Sequence, residues 1–266
     1  MMDFTNGLRS LLLLSLTLPA ANIAADSIAG TNGPIEITPL LHSSVQLEYE
    51  GMVIQVDPWD RLGLVGAKPA DLILATDDVG HHLDPEAIAK LRKPGTPVVI
   101  TASGKAKLED GIVIKNGEMI KVAGITVEAV AAYDIIQGEP SHPKGDANGY
   151  VVTLGGKRFY FAGVTECVDE VKALENIDVV FFAMNVPLGR MTPAATAECA
   201  RILKPDLVYP YHYDQVYTRK LRNPDFEGTA QLPDGLSVAQ SLERLAEELQ
   251  GSGIEVKLGE FYPPLD

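Results

Sequence analysis

The chain has 266 residues, a hydrophobic fraction of 46% and a formal net charge of −14 at pH 7. This length suits one large α/β domain with a sizeable core, and no break in composition marks a second domain. The negative charge argues against nucleic acid or anionic lipid as a default partner, because both carry charge of the same sign.

Residues 1–25 have the three-part layout of a secretory signal peptide. Arg9 precedes an apolar stretch over residues 11–18, and small residues end the segment at Ala25. The stretch is too short to span a bilayer, so the alternative is a buried N-terminal helix. We predict an exported protein, periplasmic or secreted, whose single mature domain covers residues 26–266 and has no membrane span.

Short apolar and alternating runs, separated by turn residues, predict strands through the first two thirds of this domain. The predicted strands are Ile35–Pro39, Val45–Tyr49, Met52–Val56, Leu72–Ala75, Val98–Thr101, Ile112–Lys115, Ile125–Ala131, Tyr150–Leu154 and Arg158–Ala162. Two adjacent glycines, Gly155 and Gly156, make a hairpin of the last two.

Helices interrupt the strands where the start signals are clear. Asp84 and Thr192 are candidate N-caps, each followed by proline, and a further helix is expected near Glu166. Ser237 with Gln240 forms a capping box that opens a patterned helix, and a closing strand follows it. We predict that the polar segment 214–236 is a loop over the functional site. The pattern alone indicates mixed α/β.

The most informative segment follows the strand at Leu72. Asp77, His81 and His82 fall within six residues, and the chain has only five histidines. Imidazole and carboxylate groups at a strand end are the ligands suited to zinc, iron or manganese. The segment therefore predicts a metal site.

The segment Thr76–Asp84 resembles the T-H-x-H-x-D-H-L-D loop of the metallo-β-lactamase superfamily. Further segments resemble the branch of ascorbate-6-phosphate lactonase-like hydrolases, in that family's order: His42–Val45, Val56–Trp59, His142–Gly145, Phe161–Thr165, Met191–Pro193 and Tyr209–Tyr213. The resemblance covers nearly all of residues 35–262. It implies an αββα four-layer sandwich and metal-dependent hydrolysis.

The match departs from the family pattern at the ligand positions. Asp77 stands where the family has its first loop histidine, Val79 at the second, and His81 at the loop aspartate. His82 keeps the last loop histidine, and Val164 replaces the aspartate that bridges two metals. The motif is degenerate, so the resemblance implies one metal rather than two.

With His142 and His212 retained, the resemblance implies a ligand set of Asp77, His81, His82, His142 and His212. It would hold one divalent ion, zinc or else iron or manganese, through three histidines and a water. Asp77 is the candidate general base for a metal-bound water that attacks an ester, lactone, amide or phosphodiester. The expected partner is a small-molecule substrate, and the oligomeric state is not indicated.

Several alternatives stay open at this stage. The chain is either such a hydrolase or a non-catalytic binding protein that has lost its metal. We expect His42 to be a hydrogen-bonded structural group rather than a ligand, and Asp57 to be either a turn residue or a carboxylate near the metal loop. Cys167 and Cys199 form one disulfide or remain two buried thiols.

A basic and aromatic group lies beyond His212. Tyr217, Arg219, Lys220 and Arg222 fall within six residues of one another. These residues either bind an anionic substrate or belong to the solvated surface of the protein.

Overall fold

The computed structural model describes residues 25–228, 232 and 234–265. Apart from Ala25, the predicted signal peptide lies outside the described residues. Within them, no helix has the length and apolar character needed to cross a membrane.

The first of two seven-stranded sheets runs in chain order from one edge to the other. Its strands are β1 (Asp26–Ala29), β2 (Pro34–Pro39), β3 (Val45–Tyr49), β4 (Met52–Val56), β5 (Leu72–Leu74), β6 (Val98–Ile100) and β7 (Ile112–Val113). Strands β1 to β4 pair antiparallel, and β4 to β7 pair parallel.

The second sheet contains the remaining strands, with β8 at one edge and β14 at the other. Its strands are β8 (Met119–Val122), β9 (Ile125–Ala132), β10 (Ala147–Leu154), β11 (Lys157–Phe161), β12 (Val179–Ala183), β13 (Leu207–Tyr211) and β14 (Glu255–Val256). It is antiparallel from β8 to β11 and parallel from β11 to β14. Both sheets are therefore mixed.

Helices cover the outer faces. The helices are α1 (Pro85–Leu91), α2 (Asp169–Lys172), α3 (Pro193–Leu203), α4 (Gln215–Arg222) and α5 (Val238–Leu249). Helix α1 packs through Ile88 and Leu91 on the first sheet, against Ile73 and Val98. Helices α2 and α5 contact strands of the second sheet, and α3 packs on α5. The order helix, sheet, sheet, helix confirms the predicted αββα sandwich.

The main core lies between the sheets. Leu47 and Ile54 of the first sheet belong to the same buried cluster as Val127 and Val152 of the second. The Tyr150 hydroxyl crosses the interface and donates to the Ala75 carbonyl at 3.0 Å. The two sheets are thereby joined next to the loop that follows β5.

The segment predicted as a loop over residues 214–236 contains helix α4. Asp214 caps this helix by accepting a hydrogen bond from the Tyr217 amide at 2.8 Å. The helix has a single buried residue, Thr218, and three of its eight residues are basic, so its sequence is typical of an exposed polar segment. The prediction of a loop was wrong for this part of the segment.

A disulfide joins Cys167, just before α2, to Cys199 in α3, with a Cα to Cα distance of 5.8 Å. This finding decides between the two alternatives for these residues. The bridge ties the turn after β11 to the helical layer outside the second sheet.

Candidate metal site

The candidate site forms where several strands end on the same side of the sandwich. His42 lies in the turn between β2 and β3, Asp57 follows β4, and His212 follows β13. His81 and His82 lie in the loop after β5. The His212 amide donates to the His42 carbonyl at 3.0 Å, so the two sheets meet at this point.

Three site residues have left-handed backbone. The φ angle is 59° at His42, 46° at Asp57 and 57° at His212. This conformation is unfavourable for residues with a Cβ atom, by roughly 1–3 kcal/mol each, and such residues concentrate at functional sites. Three of them at one end of the fold point to a function there.

Three imidazoles converge at the centre of the site. His42, His81 and His212 each offer one nitrogen, and the three nitrogens lie within 4.8 Å of one another. Nε2 of His81 is 3.2 Å from Nε2 of His212. His42 places Nδ1 2.8 Å from the Tyr262 hydroxyl, and its Nε2 is buried without a partner among the described residues. We call these three residues the histidine cluster.

His82 lies beside the histidine cluster and is held by Asp57. Its ring is stacked on His212 at a centroid distance of 5.1 Å, and its Nδ1 is 2.6 Å from Asp57 Oδ2. Thr76 donates to the same carboxylate from its amide and its hydroxyl, at 2.8 and 2.7 Å. A carboxylate that orients a histidine is common at metal sites. This agrees with the interpretation of Asp57 as a carboxylate near the metal loop.

The electrostatics of the site separate the cluster from His82. Burial, with the neighbouring charge of His82 adding to it, lowers the pKa of His42, His81 and His212. Burial also opposes a charge on His82, but the Asp57 carboxylate outweighs it and raises the pKa of His82. The cluster is therefore neutral near pH 7, which is the protonation state that binds metals.

These pKa directions predict a loss of stability in mild acid. The three cluster histidines titrate lower in the folded protein than at the ordinary value of 6.5, so unfolding takes up protons below that pH. Their contribution to stability is present above pH 6.5 and is lost as the pH falls, by up to about 1.4 kcal/mol per pH unit for each group.

The pKa shift of His82, and therefore its effect on stability, has the opposite sign. Its contribution is present below pH 6.5 and is lost only as the pH rises through its raised pKa, so it does not offset the acid loss. We expect the urea midpoint to fall from pH 7 to pH 5, and to fall less in a His42→Asn variant. A midpoint that is constant or higher at pH 5 would contradict these pKa directions.

The structure places the other predicted ligands at the edge of the site. Asp77 is 9% exposed, and its Oδ1 accepts from the Asp78 amide at 2.5 Å. His142 turns its Nδ1 to Asp134 Oδ2 at 2.9 Å. In the described part of the chain, the group of converging nitrogens includes neither Asp77 nor His142. Of the predicted set it brings together His81 and His212, with His82 adjacent.

The two valines at family ligand positions do not supply a ligand. Val164 is buried in the main core, and Val79 is 39% exposed. Gly163, just before Val164, has a φ of 66°, and an added Cβ would lie 3.0 Å from the Asn148 carbonyl oxygen. The turn after β11 therefore packs tightly instead of presenting a carboxylate.

His42 was predicted from the sequence to be a hydrogen-bonded structural group rather than a ligand. Its predicted hydrogen bond is present, to Tyr262, and the residue also offers one nitrogen to the converging group. The available signal was its position next to a strand in a chain with only five histidines.

The fold and the site define an αββα sandwich with a centre rich in histidine at one end of its strands. A family model described as the Beta-lactamase superfamily domain matches residues 36–212. The chain belongs to this superfamily, and its sandwich is the metallo-β-lactamase fold.

Individual relatives agree with this assignment. A UPF0173 metal-dependent hydrolase from Thermus thermophilus is 26% identical over 220 residues, which are 75% of this chain and 96% of the relative. The crystal structure of a candidate metal-dependent hydrolase from Parabacteroides distasonis is 33% identical, with a TM-score of 0.73 over 90% of this chain and 99% of that one. Igni18, a metallo hydrolase from Ignicoccus hospitalis, shares the fold at 19% identity, with a TM-score of 0.64 over 86% and 96% of the two chains.

Proposed function

We propose that the protein is a metal-dependent hydrolase that holds one divalent ion with His42, His81 and His212. The observation that carries this proposal is the convergence of three neutral imidazole nitrogens within 4.8 Å. The buried Nε2 of His42 supports it, because a buried polar atom without a partner costs free energy that a ligand would recover.

The donor set fits zinc, with iron or manganese as alternatives. Three histidines leave a fourth position open, as catalytic sites require. A divalent ion bound there would polarise a substrate carbonyl or phosphoryl group and lower the pKa of a water molecule. A single ion is favoured because Val79 and Val164 stand where the ascorbate-6-phosphate lactonase-like branch has ligands, which is the degenerate motif that we propose for this chain.

The chain's own residues supply orientation and a base. Asp57 fixes the ring of His82, whose buried Nε2 has no partner among the described residues. Asp77 remains the candidate general base, since its Oδ1 is held by the Asp78 amide and its other oxygen is left to take a proton. The substrate is a small ester, lactone, amide or phosphodiester.

We also propose that the protein is exported. The Cys167 to Cys199 disulfide supports this, because disulfides persist in oxidising compartments. The layout of the first 25 residues supports it as well.

A specific contact favours the second candidate, a non-catalytic binding protein. His81 Nδ1 accepts a hydrogen bond from Arg222 at 2.5 Å, which leaves the His81 proton on Nε2. A metal bound through Nε2 would require that proton on Nδ1, opposite a guanidinium that can only donate. Arg222 must therefore shift for His81 to bind a metal through Nε2.

The two candidates are separated by metal content and activity. Protein purified without chelator or metal-affinity resin is analysed for metals, then assayed with reporter esters, lactones and phosphodiesters. The hydrolase should carry about one ion per chain and lose activity in the His212→Asn variant. Protein that contains no metal, takes up none when zinc is added and hydrolyses none of the reporters would support the binding protein.

A further inference from the structure

Two arginines from distant segments lie over one aromatic ring beside the histidine cluster. The guanidinium carbons of Arg61 and Arg222 are 5.9 and 5.6 Å from the centroid of Trp59. Trp59 is buried, and its ring lies 5.9 Å from that of His81. A third arginine, Arg219, lies one turn before Arg222 in α4.

These three arginines differ from the others in the described part of the chain. The other five each pair with a carboxylate within 4 Å: Arg92, Arg158, Arg190, Arg201 and Arg244. Arg61, Arg219 and Arg222 have no such partner among the described residues. Arg222 donates to His81 but to no carboxylate in this part of the chain. In a chain with a net charge of −14, this concentration of positive charge needs a reason.

Helix electrostatics account for only part of the arrangement. Arg219 and Arg222 lie in the last turn of α4, where cations are favoured. Arg61 belongs to the segment after β4 and gains nothing from that helix. The guanidinium groups of Arg61 and Arg222 lie over the same Trp59 ring, so two like charges are held close together. The arginines therefore repel one another, and an anion between them would relieve the repulsion.

We propose that Arg61 and Arg222 form a binding site for a doubly charged oxyanion group of a small substrate, with Arg219, whose guanidinium lies over Phe226, one turn away in α4. Guanidinium groups bind such oxyanions through paired hydrogen bonds, and two or more of them match a double charge better than a single carboxylate does. Trp59 holds the guanidinium groups of Arg61 and Arg222 next to His81. This site would bind part of the substrate of the proposed hydrolase, so its role in catalysis rests on the proposed function. Anion binding itself does not depend on hydrolysis.

The chain contains a built-in reporter, because Trp59 is its only tryptophan. We would titrate the full chain with sodium phosphate at constant ionic strength, balanced with chloride, and follow tryptophan fluorescence. We expect a saturable change in the parent. Arg222→Gln and Arg61→Gln should each weaken phosphate binding roughly tenfold, which is the usual effect of losing a hydrogen bond to a charged group.

Matched controls make the outcome decisive. Arg244→Gln removes an exposed arginine that pairs with Glu248, and it should bind phosphate like the parent. A phosphate response no larger than that of chloride, or unchanged affinity in both arginine variants, would overturn the proposal. Acetate that binds as tightly as phosphate would overturn the preference for a double charge.

A bound metal ion could also attract phosphate, and His212→Asn tests this. A response lost in that variant but kept in Arg222→Gln would overturn the arginine site. Phosphate binding that needs the arginines, in protein without metal or hydrolase activity, would support this site while contradicting the proposed hydrolase.

Discussion

His42→Asn and His212→Asn should each strip the protein of its metal, whereas His142→Asn should leave the metal content near that of the parent. His42 and His212 belong to the histidine cluster, while His142 is engaged with Asp134. Losing a direct ligand should lower zinc affinity by roughly a hundredfold or more, beyond the effect of losing an outer partner. Elemental analysis and competition with a zinc chelator measure both quantities.

Asparagine is the matched replacement because it tolerates the left-handed backbone present at positions 42 and 212. It therefore separates the loss of an imidazole from added strain. Added zinc should raise the melting temperature of the parent and of His142→Asn but not of the other two variants. A ligand stabilises the folded state only of a protein that binds it. If His142→Asn loses the metal and His42→Asn keeps it, the ligand set implied by the family resemblance is correct and the cluster is not.

Arg190→Met should destabilise the protein by about 3–5 kcal/mol, which is the usual cost of leaving one member of a buried ion pair alone. The Arg190 side chain is fully buried and lies 2.6 Å from Asp134 Oδ2, and the Asp134 side chain is only 5% exposed. Arg190 also donates to the carbonyls of Ile136 and Pro140. Its loss leaves the Asp134 carboxylate with His142 as its remaining partner and takes the donor from two carbonyls. Urea unfolding at pH 7 measures the effect.

The control is Arg244→Met, which breaks an exposed pair with Glu248 and should cost less than about 1 kcal/mol. Adding Asp134→Asn to Arg190→Met should restore part of the lost stability, because the uncompensated charge is then gone. A single Arg190→Met variant as stable as the control would show that this network does not contribute measurably to stability.

Much of the fold could be predicted from local pattern. Strands β3 and β4 have the predicted limits because their apolar runs end at the turn residues Glu50 and Gly51. The capping box of Ser237 and Gln240 is present as predicted. Strand β12 was missed; its continuous apolar run is buried throughout, as is typical of a strand between two parallel neighbours.

The site could be predicted only in part. Local sequence identified the loop with His81 and His82, but no local signal shows that the turn containing His42 meets the end of β13. The family resemblance grouped His142 with the ligands; in the structure its Nδ1 contacts Asp134, and the converging nitrogens of the described residues do not include it. The arginines around Trp59 come from separate segments, and only the folded chain brings them together.

The hydrogen bond from the His212 amide to the His42 carbonyl makes that amide a probe of local opening at this end of the sandwich. Its acceptor lies in the turn between β2 and β3 of the other sheet, so this amide exchanges with deuterium when the contact between the turn and the end of β13 opens. A ligand that bridges the two histidines should therefore slow deuterium uptake at this amide, while amides in the middle of β10 exchange at their former rate.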